Sequence, residues 1–128
     1  MNPLANFLIK IKNASRVKHE TVTAPYSKFI HAVSSCLLRA ELISGFEKKS
    51  KKAGEEIVLT LKYTQNGPRI NGLSLVSKPS VRKYIGVKDI HPVKQGFGLM
   101  ILSTPKGVLT DAEAKKELVG GEALFKIW

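Results

Sequence analysis

The spacing of apolar residues changes about halfway along this chain, at the turn sequence Gln65-Asn66-Gly67-Pro68. Asn-Gly and Gly-Pro are strong turn signals, so the chain is expected to reverse here. Before the turn, helical spacing alternates with strand-like stretches, whereas short strand-like runs dominate beyond it. The change predicts an α+β fold in which an N-terminal lobe, residues 1–64, packs against a mostly β C-terminal lobe, residues 65–128.

The N-terminal lobe is predicted to have the element order αβαββ. Asn2 suits the N-cap of the first helix, and Pro3 suits its first helical position. Ser27 is the expected N-cap of the second helix, whose predicted apolar stripe comprises Ile30, Val33, Leu37 and Leu38. The predicted elements are a helix that begins at residue 3 and ends in a polar, basic turn at 13–16, a strand over 19–24, a helix from 28 to about 41, and strands over 43–47 and 55–63 that flank a basic turn, 48–54.

The C-terminal lobe is predicted to be mostly β, with one short helix. Thr110 and Glu113 have the spacing of a capping box, which opens a helix that continues to about Glu117. Gly120-Gly121 then ends the helical pattern. The predicted strands span residues 70–76, 82–85, 97–102, 108–110 and 123–128.

Charge is the first property that points toward function. Twenty-one Lys and Arg residues against ten Asp and Glu give the chain of 128 residues a net charge of +11 at pH 7. The excess is spread over both lobes, since residues 1–64 carry eleven basic and five acidic side chains, and residues 65–128 carry ten and five. Such a field attracts polyanions, because neutralised phosphates release condensed counterions. It favours nucleic-acid binding over a basic surface that serves solubility alone.

Several protein classes are excluded by what the sequence lacks. No run approaches the about 20 apolar residues of a membrane-spanning helix, and residues 1–30 lack the pattern of a signal peptide. The single cysteine, Cys36, allows neither an internal disulfide nor a cysteine-built zinc site, and it is expected to be a packed thiol. We therefore expect a folded intracellular protein that does not associate with membranes.

Signatures of catalysis are missing at the positions where chemistry would need them. Gly96-Phe97-Gly98 is followed by a predicted strand instead of a helix, which excludes a dinucleotide-binding turn. The three histidines lie in separate predicted elements, and no acidic residues cluster as a metal-dependent nuclease requires. We therefore predict no catalytic residue, no metal site and no cofactor.

The segment Ser103-Thr104-Pro105-Lys106-Gly107 is the strongest candidate for a binding loop, because it follows an apolar strand and precedes a capped helix. Its two hydroxyl groups can donate and accept hydrogen bonds, and Gly107 lets the backbone approach a ligand closely. These groups suit the shallow minor groove of an A-form RNA helix, and Lys106 would contact a phosphate. The alternative, equally weighted, is an ordinary tight turn with polar residues.

A second candidate group surrounds Tyr84. This tyrosine lies between Lys83 and Ile85, close to Arg82, and aromatic side chains among basic ones stack on unpaired bases. The alternative is a strand aromatic that packs within the sheet. A basic loop with the sequence Ser77-Lys78-Pro79-Ser80-Val81 leads to this group.

A third candidate group lies at the end of the first helix, where Asn13, Arg16 and Lys18 could contact phosphates. A single exposed lysine is more often only solvated. The case for binding therefore rests on the collection of basic residues.

Motifs along the whole chain carry a family resemblance. They are Asn2-Pro3-Leu4-Ala5-Asn6, Ile11-Lys12-Asn13-Ala14, Ser77-Lys78-Pro79 with Arg82 and Tyr84, Ser103-Thr104 followed by Lys106-Gly107-Val108-Leu109-Thr110-Asp111, and Val119-Gly120-Gly121-Glu122. A chain with these motifs resembles the family of the eighth protein of the small ribosomal subunit, in its bacterial and organellar form. Two departures from the family pattern are Pro105, where many members have a third hydroxyl group, and Asn2, where Asp is common.

The resemblance implies a primary binder of small-subunit ribosomal RNA that acts early in assembly of the central domain. It implies that Ser103, Thr104, Lys106 and Gly107 form the core of the RNA-reading loop, and that Tyr84 stacks nearby. Glu122 would buttress this loop or meet the RNA. The remaining residues that the resemblance assigns to RNA binding are Lys78, Arg82, Asn13, Arg16, Lys18 and Lys28.

The expected partners are small-subunit ribosomal RNA and neighbouring ribosomal proteins, with the chain as a monomer in the particle. Some bacterial members also bind the messenger of their own operon. The expected location is a bacterial cytoplasmic ribosome, with a mitochondrial or plastid ribosome as the alternative. Two other functions stay open: a basic architectural nucleic-acid-binding protein outside the ribosome, and a small nuclease.

Overall fold

The computed structural model describes residues 3–78, 80–91 and 98–128. The chain divides into two compact units, Met1–Asn71 and Gly72–Trp128. The lobe boundary that we predicted after residue 64 falls seven residues before this division, inside a small hairpin of the first unit. The α+β class is confirmed, since the described residues contain a few helices and many strands. No helix among the described residues is long and apolar enough to cross a membrane.

The first unit confirms the αβαββ order. Its elements are α1 (Pro3–Arg16), β1 (Thr21–Pro25), α2 (Lys28–Arg39), β2 (Ile43–Lys51), β3 (Gly54–Leu61), β4 (Tyr63–Thr64) and β5 (Gly67–Pro68). Strand β3 is central and pairs antiparallel with β1 on one side and β2 on the other. Strands β4 and β5 form the separate small hairpin at the predicted turn.

Helix α2 begins as predicted and buries a different set of residues from the predicted stripe. The Ser27 hydroxyl caps it by accepting a hydrogen bond from the Ile30 amide at 3.1 Å. Leu38, which we predicted to be buried, is 39% exposed, and Ser34 is buried instead. The difference follows from helix geometry, because each residue is rotated by about 100° from the last and Leu38 is turned away from the buried Leu37.

The basic turn predicted for residues 48–54 is wrong. Residues up to Lys51 continue β2, and the turn itself is confined to Lys52-Ala53. Each of the three strand lysines has a glutamate partner, in the pairs Lys48–Glu55 at 2.7 Å, Lys49–Glu47 at 3.4 Å and Lys51–Glu56 at 3.1 Å. The hydrogen bond that Lys48 donates to the Glu55 carboxylate raises the pKa of Lys48. The pairs of Lys48 and Lys51 cross from β2 to β3, and such cross-strand pairs of opposite charge stabilise as a strand a segment whose composition suggested a loop.

The second unit is built around its last strand. Its elements are β6 (Leu73–Leu75), β7 (Tyr84–Ile85), a 3₁₀ helix (Val87–Asp89), β8 (Leu99–Thr104), β9 (Gly107–Thr110), α3 (Asp111–Lys116) and β10 (Gly121–Ile127). Strand β10 pairs antiparallel with β6, β7 and β8, and β8 pairs antiparallel with β9. The first predicted strand is shorter than expected, and the predicted roles of Asn2 and Phe97 lie outside the described residues.

Helix α3 confirms the predicted capping box. The Thr110 hydroxyl accepts a hydrogen bond from the Glu113 amide at 3.1 Å, and the Glu113 carboxylate accepts one from the Thr110 amide at 2.9 Å. Ala114 on this helix packs with Leu102 of β8 and with Ile90 in one buried cluster. The cap thus sets the direction in which α3 leaves β9 and covers the sheet.

Each of the three α-helices in the described residues ends in a Schellman motif. The residue after the C-cap has a positive φ of 61° at Lys18, 62° at Glu41 and 58° at Leu118. At the end of α3, the Val119 amide donates to the Ala114 carbonyl at 3.0 Å and the Leu118 amide donates to the Lys115 carbonyl at 3.2 Å. Glycine usually occupies this left-handed position, because a Cβ atom is disfavoured there.

Replacing Leu118 by Gly is expected to raise the free energy of unfolding by about 0.5–1 kcal/mol, because it relieves the left-handed conformation at a side chain that is 79% exposed. Urea unfolding would measure the change. The matched control is Lys12→Gly, at an exposed position inside α1, which should lower stability by about 0.5–1 kcal/mol. Equal destabilisation by both substitutions would contradict the strain assigned to Leu118.

Candidate nucleic-acid interface

The predicted binding loop is the tight turn of the β8–β9 hairpin. Ser103 and Thr104 end β8 and Gly107 begins β9, so only Pro105-Lys106 lie outside the strands. This corrects the prediction that all five residues form a loop, although Pro105, Lys106 and Gly107 are exposed as expected. The turn requires glycine at its last position, because Gly107 has a φ of 117°.

The two hydroxyl groups of this turn have different environments. Thr104 Oγ1 donates to the Gly107 carbonyl at 2.8 Å and accepts from the Lys106 amide at 3.1 Å. Both bonds close the turn on itself. The half-buried Ser103 makes no side-chain hydrogen bond within the described residues. The described residues therefore leave the donor and both acceptor sites of the Ser103 hydroxyl unused, whereas the Thr104 hydroxyl holds the hairpin.

The same turn occurs a second time in the first unit. Thr64 Oγ1 donates to the Gly67 carbonyl at 3.1 Å and accepts from the Asn66 amide at 3.2 Å, and Gly67 has a φ of 116°. Threonine followed by glycine three residues later thus closes both hairpins. The repetition supports a structural role for the Thr104 hydroxyl, because Thr64 was not among the predicted binding residues.

Tyr84, Glu122 and Ser103 form a row across three adjacent strands. Glu122 of β10 lies opposite Tyr84 of β7 on one side and opposite Ser103 of β8 on the other. Residues directly opposite on antiparallel strands project from the same face, and with strands about 4.8 Å apart the row spans about 10 Å. The fold therefore brings together three residues that are far apart in the sequence.

Tyr84 is the exposed end of this row. Its side chain is 74% exposed, which excludes the alternative that it packs within the sheet. Beside it, the Arg82 guanidinium binds the Glu122 carboxylate at 3.0 Å. An exposed ring next to a fixed cation is the arrangement that stacks on an unpaired base while a phosphate is held nearby.

The loop before Tyr84 is held by a serine whose role we did not predict. Buried Ser77 accepts a hydrogen bond from the Lys83 amide at 2.8 Å and donates to the Lys83 carbonyl at 3.4 Å. Lys78 and Val81 exchange backbone hydrogen bonds at 2.9 and 3.0 Å, and the Lys78 side chain remains exposed. Only the position of Ser77 at the start of the basic loop could have indicated this role.

Two glycines allow the three strands to meet. A Cβ atom at Gly121 would overlap the backbone of Ser103, and one at Gly120 would overlap the backbone of Ile85 and Gly86. At both positions backbone, not a flexible side chain, occupies the space. The predicted role of the Gly120-Gly121 pair was to end a helix. The two glycines also make room for the backbones of the neighbouring strands.

Three of the four predicted residues of the first unit lie together at the end of α1, and the fourth lies on another helix. Asn13 and Arg16 are exposed on the last turns of α1, and Lys18 follows at the left-handed position. Lys28 is the exposed first residue of α2, and no contact joins it to those three. No group of three or more His, Cys, Asp or Glu side chains in the described ranges is arranged to hold a metal ion.

Replacing Gly121 by Ala is expected to lower the free energy of unfolding by about 1–3 kcal/mol, because the added methyl group would push the Ser103 backbone away. Thermal unfolding followed by circular dichroism would measure the loss. Gly45→Ala is the matched control, since a Cβ atom there would have no neighbouring atom within 4 Å. If the two substitutions had the same effect, the close approach at Gly121 would not be a constraint.

Comparison with known proteins identifies the family. Residues 2–128 match the family described as ribosomal protein S8. The chain is 41% identical to small ribosomal subunit protein uS8 of Persephonella marina, over 99% of this chain and 98% of that protein. It is 44% identical to uS8 of Roseiflexus castenholzii, over 99% and 97%, and 40% identical to uS8 of Mycoplasmopsis pulmonis, over 99% and 96%. The resemblance inferred from the motifs is confirmed, and the chain belongs to the ribosomal protein S8 family.

Proposed function

We propose that this chain is a structural, non-catalytic constituent of the small ribosomal subunit that binds the central domain of its ribosomal RNA directly. Its family and its relatives, which are named as proteins of the small ribosomal subunit, support the ribosomal role. The proposed partners are the ribosomal RNA and neighbouring proteins, with one copy in each particle. The bacterial relatives favour a ribosome of bacterial type, in a bacterial cytoplasm or in an organelle.

The observation that carries the RNA-binding proposal is the row formed by Tyr84, Glu122 and Ser103. It presents an exposed aromatic ring and an unused hydroxyl group on one face. Arg82 beside the ring and Lys106 at the hairpin tip add two cations. A flat face with these groups suits the wide minor groove of an irregular A-form stem, where base edges and 2′-hydroxyls are accessible.

The first unit supplies cations that carry no base specificity. Arg16, Lys18 and Lys28 are exposed and would contact phosphates. Such contacts raise affinity for every polyanion and make binding depend on salt. In this proposal the phosphate contacts supply most of the affinity, and the row in the second unit supplies the discrimination.

The test is a comparison of three ligands of the purified chain: a transcript of the central domain of a bacterial small-subunit ribosomal RNA, a perfectly paired RNA duplex, and a DNA duplex. We expect the transcript to bind most tightly. With about five phosphates neutralised, the logarithm of affinity should fall against the logarithm of salt concentration with a slope of about −4.

Other outcomes would favour the remaining functions. Equal or tighter binding to duplex DNA would support an architectural protein outside the ribosome and contradict the proposal. Cleavage of labelled RNA in the presence of magnesium would instead indicate a nuclease. Transcripts of the chain's own operon belong in the same assay, because a similar stem in a messenger would bind the same row.

Ser103→Ala is expected to weaken binding to the central-domain transcript by about 1 kcal/mol without changing stability, because it removes only an unused hydroxyl group. Thr104→Ala should lower stability by about 1 kcal/mol, because it removes both hydrogen bonds that close the turn. The two substitutions together should weaken transcript binding by about 1–3 kcal/mol and scarcely change duplex binding.

Thr64→Ala is the matched control for Thr104, because it opens an equivalent turn in the first unit. It should lower stability to a similar extent and leave the preference for the transcript unchanged. If Ser103→Ala weakened binding to the transcript and the duplex equally, the hydroxyl group would not be a source of discrimination.

A further inference from the structure

Two of the candidate binding cations of the second unit, Arg82 and Lys106, are held by carboxylates of the same unit. Arg82 Nη1 lies 3.0 Å from the Glu122 carboxylate. Lys106 Nζ lies 3.3 Å from the Glu117 carboxylate and 3.5 Å from the Glu117 carbonyl oxygen. In each case a carboxylate of the chain contacts the cation where a phosphate would contact it.

The other candidate cations are not paired in this way. Arg16, Lys18 and Lys28 of the first unit are exposed and have no carboxylate partner among the described residues. The same holds for Lys78 of the second unit. Internal pairing of the candidate binding cations is therefore restricted to the two that flank Tyr84 and the hairpin turn.

This difference has an energetic consequence for a polyanion that approaches the row. A phosphate that takes the place of Glu117 at Lys106 exchanges one anion for another, so the lysine gains little from the contact. A plain duplex offers nothing more than this exchange. A stem whose shape also engages Ser103 and Tyr84 gains further contacts that offset the displaced carboxylate.

We infer that Glu117 and Glu122 act as internal counterions that lower the affinity of Lys106 and Arg82 for every polyanion, so that tight binding at the row requires the additional contacts at Ser103 and Tyr84. The inference rests on the proposed RNA-binding function and assigns roles within the same site. The unpaired cations bind phosphates on any nucleic acid at no such cost, whereas each paired cation gives up a carboxylate contact when it binds a phosphate.

Glu117→Gln tests the inference with the least structural disturbance, because the Glu117–Lys106 pair is half-exposed. Removal of an exposed ion pair of this kind changes an equilibrium constant, here that of RNA binding, by about two- to fivefold. We expect Glu117→Gln to raise affinity for a perfectly paired RNA duplex by about two- to fivefold, with a salt slope steeper by about 1. Affinity for the central-domain transcript should rise by at least the same factor, because the cost of displacing Glu117 is removed for every ligand that engages Lys106.

Glu41→Gln is the matched control. Glu41 follows the C-cap of α2, is exposed and has no ion-pair partner within the described residues, so the substitution makes the same change in net charge. It should raise the affinities for both RNAs by the same small factor. In a Lys106→Ala background, Glu117→Gln should have no more effect than Glu41→Gln, because its action requires the lysine.

The inference would be overturned if Glu117→Gln and Glu41→Gln had equal effects on duplex binding, or if the effect of Glu117→Gln persisted without Lys106. Either result could occur while the wild-type chain still prefers the transcript, which would leave the proposed function intact. A wild-type chain with no preference between transcript and duplex would contradict the proposed function and the inference together.

Discussion

Three strands pair with different stretches of β10: β7 with its first two residues, β8 with most of its length, and β6 with its last three. The pairings with β7 and β8 require the chain at Gly120 to pass in direct backbone contact with Ile85, and the chain at Gly121 to pass in direct backbone contact with Ser103. Because neither glycine carries a side chain, β7 and β8 can share one neighbour, and Tyr84 and Ser103 come to the same face. The candidate interface thus depends first on backbone packing, and only then on its polar groups.

The repeated turn explains how an exposed hairpin tip satisfies its own backbone hydrogen bonds. Thr64 and Thr104 each satisfy one carbonyl and one amide of a four-residue reversal, and a glycine at positive φ completes it. A turn closed by its own side chain needs no support from the core. The second unit can therefore project Lys106 into solvent without losing the position of Ser103.

The net charge does not tell which lysines and arginines have a carboxylate partner, whereas the distribution of ion pairs does. The strands β2 and β3 hold the densest group of lysines in the chain, yet three of these lysines are neutralised by neighbouring glutamates. Arg82 and Lys106 are likewise paired, whereas Arg16 and Lys18 at the end of α1 have no carboxylate partner among the described residues. A count of charged residues cannot distinguish these cases, because pairing depends on which side chains the strands place opposite one another.

Much of the architecture followed from local signals in the chain. The spacing of Leu4, Phe7 and Ile11, the cap at Ser27 and the capping box at Thr110 each act within a few residues, so the helices could be predicted closely. The family could also be inferred, because its motifs are contiguous. The prediction failed at residues 48–51, where lysines that resemble a loop are stabilised as a strand by glutamates from the opposite strand.

The sequence by itself determined the element order, the basic character and the identity of most candidate binding residues, because these properties depend on composition and short-range spacing. Only the tertiary structure decided that Tyr84, Glu122 and Ser103 share one row, that Thr104 is occupied while Ser103 is not, and that Glu117 holds Lys106. Strand register and cross-strand pairing join residues as far apart in the chain as Leu73 and Ile127, so they depend on the packing of the whole unit and leave no local signal.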